Sequence, residues 1–148
     1  MTAPIAIPHG FHALERFNSP FLSSLGPLYV KEEGGAMAIA MRIEEGHLNT
    51  RGVAHGGMLV TLADSALGIV LATAQTPPEP FVTVNLGTDF IDVARAGDWV
   101  EARVEVQKMG ARLAFASCQL WVGEKRILRA SGIFARVSRA FGAEERPR

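Results

Sequence analysis

From Met58 to Ala74 the chain reads MLVTLADSALGIVLATA. Two threonines, one serine and a single carboxylate, Asp64, interrupt an otherwise apolar or small-residue run. That run is too long and too continuous for a strand, and its alanine and leucine content favours helix. It predicts a helix from Gly57 to about Gln75, stopped by the TPPEP segment, because proline cannot continue the hydrogen-bond ladder. A helix that is apolar nearly all round must be wrapped by other structure. As a membrane span the run falls short of about 18 residues and carries a central charge, so it reads as a buried core helix.

What surrounds the helix follows from a change of period. LYVKEEGGAMAIAMRIEE predicts two strands around the Gly34-Gly35 turn. After the helix, FVTVNLGTDFIDVA is a strand candidate. DWVEARVEVQK alternates, with Val100, Ala102, Val104 and Val106 on one face and Glu101, Arg103, Glu105 and Gln107 on the other. RLAFASCQLWVG and RILRASGIFARVS add two more strands, with turns expected at Gly97-Asp98, Met109-Gly110 and Gly123-Glu124. The segment GFHALERFN predicts a short helix, and FLSSLGP a loop. The expected class is α+β, a curved antiparallel sheet of six strands ending in a meander and curled around one long helix. Residues 1–26 read as an N-terminal arm with its short helix, 27–138 as the domain, and 139–148 as a tail. A six-stranded sheet around one helix leaves edges and a flank open, which predicts at least a dimer.

Composition narrows the function. A chain of 148 residues suits one domain. Fifteen basic residues balance fifteen acidic ones. This leaves no basic excess for a nucleic-acid backbone and no charge block for an anionic membrane. One cysteine, Cys118, excludes an internal disulfide and a cysteine-rich zinc site. The opening MTAPIAIPHG has no positive region and no long apolar core, so it does not read as a signal peptide. A free thiol and the lack of an export signal predict a cytoplasmic protein. His9, His12 and His47 have no ligand spacing, so no metal is assigned.

The pattern N-x5-HGG-x6-D, here Asn49, His55, Gly56, Gly57 and Asp64, resembles the hotdog-fold acyl-CoA thioesterases. The similarity is to the phenylacetate-pathway (PaaI-like) type and the related thioesterase superfamily member 2 type. It runs from about Ala36 to Val137, and its second part is VTVNLGTDFIDVARAGDWVEARVEVQKMGARLAFAS, with Thr83 where the family carries Ser or Thr. The stretch through Pro27 is not matched. The resemblance implies a sheet-wrapped helix, protomers paired into one continuous sheet as a homodimer or homotetramer, and active sites at the dimer interface. The implied reaction is hydrolysis of an acyl-CoA thioester to a carboxylic acid and CoA, without a metal or other cofactor. Some relatives have Asp at the position of Asn85 and Tyr at that of Phe90.

Residue by residue, the chemistry needs a nucleophile and an oxyanion donor. The first amides of a helix lack intrahelical partners and sit at the positive end of its dipole. Gly57 lets a carbonyl approach without a Cβ in the way, so its amide is the candidate donor, with Gly56 beside it. Asp64, seven residues on, projects from nearly the same side of the helix and acts as nucleophile or general base. The resemblance implies that Thr83 comes from the opposite protomer and orients a water, and that Asn49 and His55 lie beside the thioester. A helix-capping His55 and a structural Asp64 are the plainer alternatives. Met58, with Leu59, Leu62 and Leu67, either lines an acyl pocket or packs the core. Lys108, Arg112 and Arg136 are candidates for CoA phosphate contact. Two other readings of the function stand beside hydrolysis: a non-catalytic acyl-CoA binder or regulator, and an acyl-thioester dehydratase or hydratase.

Overall fold

The computed structural model describes residues 6–137. The tail assigned to 139–148 lies outside them. The elements in chain order are β1 (His12–Ala13), α1 (Pro20–Ser24), β2 (Tyr29–Glu33), β3 (Ala36–Arg42), α2 (Gly56–Thr73), β4 (Phe81–Phe90), β5 (Trp99–Met109), β6 (Leu113–Val122) and β7 (Lys125–Arg136).

All seven strands form one antiparallel sheet in the order β1-β2-β3-β5-β6-β7-β4. Strands β5 to β7 are the expected meander. Strand β4 is not part of it. After the helix the chain crosses to the far edge and β4 pairs with β7, so that β5 can pair with β3. The seventh strand is β1, which replaces the helix expected in GFHALERFN. Leu14 there donates its amide to the Leu28 carbonyl at 2.9 Å, and extended pairing with β2 wins over a short helical pattern. The expected loop FLSSLGP instead holds α1. Ser19 caps it by accepting from the Leu22 amide, Pro20 sits in its first turn, and Leu22 is buried.

Helix α2 lies on the sheet and touches β3 through β7. By length and composition alone this 18-residue helix could cross a membrane, so the expectation that the run is too short for a span is corrected. Here Leu59, Leu62, Ala63, Ala66 and Leu67 pack into one core with Ile39, Met41, Val100, Leu120, Ile127 and Phe134. The wrapping is one-sided. Thr61, Asp64, Ser65 and Gly68 recur at helical spacing and stay only half-buried, so one stripe of α2 is open in the single chain. The β5 alternation holds for Val100, Ala102 and Val104. It fails at Val106, which is exposed beside a bulge between Val106 and Lys108.

Candidate active site

A cavity of about 460 Å³ opens along the uncovered flank of α2. Its charged or hydroxyl side chains are Arg16, Asp64, Ser65, Glu79 and Thr83, and its apolar wall includes Leu22, Ile69, Phe81 and Phe134. The Thr83 hydroxyl donates to Asp64 Oδ1 at 2.6 Å. Asp64 Oδ2 has no hydrogen-bond partner among the described residues. One carboxylate oxygen is thus held and the other is unpartnered among the described residues, on a side chain that lines the cavity. The side chains meet because β4 has a register shift between Thr83 and Asn85, leaving Val84 without a partner on β7. A bulge of this kind re-aims the neighbouring side chain.

This differs from the implied placement of Thr83 across a subunit boundary. Its hydroxyl serves Asp64 of its own chain. The second expected pairing, Asp64 with the Gly57 amide, is also corrected. The Gly57 amide is occupied, donating to His55 Nδ1 at 2.9 Å, and His55 is the N-cap of α2. An imidazole nitrogen that accepts from the second helical amide does what Ser or Asp does at that position. The amide left without a partner among the described residues is that of Gly56. The Phe90 ring lies over Gly56 so closely that a Cβ there would meet it at 3.0 Å, and the exposed ring would have to shift to admit one.

Asn49 is also committed, its Oδ1 accepting from the Arg51 amide at 2.9 Å and the Val53 amide at 3.3 Å. It shapes the loop that delivers His55. His47 is buried beneath the same loop. Its Nδ1 accepts from the Glu44 amide, so its Nε2 is the nitrogen that donates to the Leu25 carbonyl. None of Asn49, His55, Gly56 or Gly57 lines the Asp64 cavity. Gly56 and Asp64 are eight residues apart on one helix, a rise of about 12 Å, so one chain does not bring them to one carbonyl.

The remaining expectations divide. Met58 is buried in the core with Leu59, Leu62 and Leu67, so this stripe packs rather than lines the cavity. Arg136 is not free for a phosphate. It donates to the Gly110 carbonyl, to Gln75 and to Glu79, and its guanidinium lies over Phe81. It ties the segment after α2 to β7. Lys108 lies on a separate surface hollow with Asn85, Gln107, Ser117 and Ser131, and Arg112 is exposed at the β5–β6 turn. Among the described residues neither forms an ion pair. Among them, too, no group of three His, Cys, Asp or Glu side chains is close enough to hold a metal. Cys118 is buried and its thiol is pushed up to about 12 by desolvation. Sequence reasoning missed Arg16, Phe17, Leu22 and Phe134 as cavity walls.

A curved antiparallel sheet holding one long helix, with a lone carboxylate on the helix's open stripe behind an HGG turn, is the hotdog fold. The chain belongs to the thioesterase superfamily, whose family model matches residues 51–128. Within it, the PaaI-like and member-2 types are its kin. It is similar to a Pseudomonas aeruginosa protein provisionally named an esterase, with 47% identity over 129 residues, 86% of this chain and 96% of that one. It is 34% identical over 80 residues to acyl-coenzyme A thioesterase 13 of Mus musculus, 54% of this chain and 56% of the relative. The solved structure of zebra fish thioesterase superfamily member 2 superposes with a TM-score of 0.72 at 28% identity, covering 80% of this chain and 88% of that one.

Proposed function

We propose that the chain hydrolyses an acyl- or aryl-acyl-CoA thioester to the free acid and CoA. The carrying observation is the Thr83–Asp64 bond at the mouth of an apolar cavity, which leaves one carboxylate oxygen unpartnered. From there Asp64 either attacks the thioester carbon, expelling CoA thiolate and leaving an anhydride for water to open, or takes a proton from the attacking water. Thr83 fixes the orientation of the carboxylate. The carbonyl oxygen needs a donor, and the Gly56 amide, rather than Gly57, is the one available. Such a donor is worth about 3–4 kcal/mol of barrier.

The rise of about 12 Å between Gly56 and Asp64 supports a donor supplied by a second copy. In this reading two protomers set their open α2 stripes face to face, and Gly56 of the partner subunit meets Asp64 across the gap. Asn49 and His55 support the donating turn. Strand β4 suits such pairing. It is a sheet edge carrying exposed Val82 and Val84, with Phe90 and Ile91 at its end. The unit is a homodimer, or a homotetramer built from it, working in the cytosol without a metal. Lys108 and Arg112 are its candidate phosphate contacts.

Thiol release from a panel of acyl-CoAs tests the reading. Asp64→Asn, which keeps the shape and the Thr83 bond, should cut release by about 100-fold or more while acyl-CoA still binds. An acyl group trapped on Asp64 by mass spectrometry identifies the nucleophile route, and its absence the general base. Binding without release in both proteins would instead identify a regulator. A changed acyl chain with CoA still attached would identify a dehydratase or hydratase.

A further inference from the structure

The cavity that holds Asp64 and Thr83 has a neighbour. A second cavity of about 360 Å³ is lined by His12, Leu14, Val30, Met37 and Thr73. Arg16, Phe17 and Ile69 line both. Ile69 is a core residue of α2, so the removable part of the boundary is Arg16 and Phe17. Their side chains act as one unit, the Arg16 guanidinium sitting 5.3 Å from the centre of the Phe17 ring.

Two features mark this boundary as a built wall. The segment that carries it is fastened on both sides. Phe11 packs edge-on against Trp99, β1 pairs with β2, and Leu22 enters the core. Phe17 is also the only described non-glycine residue with positive φ, at 64°, a conformation that L side chains rarely adopt. The ring lines both cavities while remaining 38% exposed, and it is held in a backbone conformation that glycine or asparagine would adopt more readily. The wall belongs to a stretch that precedes the family match at residues 51–128.

We propose that Phe17, with Arg16 stacked on it, is the specificity-determining wall of the acyl site. It ends the cavity that begins at Asp64 and so limits the length of the acyl group. Short aliphatic and single-ring aryl groups fit before the wall. Long chains need the second cavity, which the Phe17 ring closes off. The inference rests on the acyl-CoA thioesterase reading.

The test compares wild type with Phe17→Gly and Phe17→Asn, both suited to φ near 60° and so expected to fold, which a thermal melt checks. Octanoyl, phenylacetyl and palmitoyl groups are measured in two ways. Thiol release gives kcat/KM on the thioesters, and calorimetry gives Kd for the matching non-hydrolysable thioethers. The expected result is a palmitoyl-to-octanoyl preference that rises about 10-fold or more in both variants, in binding and in turnover alike. An unchanged preference in folded variants overturns the wall, and the thioesterase reading stands. If wild type releases no thiol from any thioester, the thioesterase reading falls, and the Kd ratio alone decides the wall. No binding of any thioether overturns both.

Discussion

Phe134 sits where stability and the candidate site meet, and Gly132 is the lever on it. Both residues face the helix from β7, two apart on one face. A Cβ built on Gly132 would lie 2.6 Å from Phe134 Cε2 and 3.2 Å from Leu67 Cδ1. On the other side, a Cβ on Gly68 of α2 would lie 4.0 Å from Phe134 Cε1. The ring therefore fills the space left by two glycines, is 2% exposed, and lines the Asp64 cavity. Gly132→Ala adds one methyl that the ring must yield to, and its free direction is into that cavity. Overpacking of this kind costs about 1–3 kcal/mol, set against about 0.4–1 kcal/mol gained by removing a flexible glycine. A net loss of about 1–2 kcal/mol should lower Tm by roughly 2–8 °C in a chain of this size. Thermal melts of wild type, Gly132→Ala, Phe134→Leu and the double variant measure it. With the ring gone the methyl has room, so the double variant should be more stable than the two single losses predict, by about 1 kcal/mol. An unshifted melt for Gly132→Ala, or strictly additive losses, would falsify the account of Phe134 as the residue held between the glycines.

Three further outcomes follow from other parts of the molecule. His55→Ala removes the cap on the Gly57 amide and should cost about 0.5–2 kcal/mol in chemical denaturation, while His55→Asn, a good capping residue, should recover most of it. The Cys118 thiol, raised to about 12 by burial, stays protonated in the fold while an unfolded thiol near 9 loses its proton. Stability should therefore be intact below about pH 9 and fall between 9 and 12, by up to about 1.4 kcal/mol per pH unit, and Cys118→Ala should flatten that part of the curve. Val84→Lys, a charge placed on the unpaired sheet edge, should shift the protein to monomer in sedimentation and lower thiol release in proportion to the dimer lost.

The buried helix, the hairpin at Gly34-Gly35 and the strands after Phe81 were legible because each has an unbroken period and a turn at each end. The run around Asp64 also identified the residue that the cavity exposes. Five things were not legible, for different reasons. Strand β1 is two residues long and exists only because β2 offers an edge, so no local pattern could announce it. The pairing of β4 with β7 is a choice among edges that the strands' own sequences do not make. Which glycine amide stays free depends on the rotamer of His55, a side-chain decision that reverses the apparent roles of Gly56 and Gly57. The Thr83–Asp64 contact needed the bulge at Val84, and alternation alone gives no warning of it. Phe17 and Arg16 carry no motif, and their place at the cavity appears only when the N-terminal segment is folded back.

Because the sheet covers α2 from one side alone, tolerance to substitution along this helix should itself be periodic. Changes at Leu59, Leu62, Ala63, Ala66 and Leu67 should register as lost yield and early melting. Changes at Thr61, Asp64, Ser65 and Gly68, two positions out of phase, should leave a well-behaved protein with altered turnover. Stability and catalysis would then be adjustable separately on opposite sides of one rod, so that the acyl preference could drift without endangering the fold that carries it.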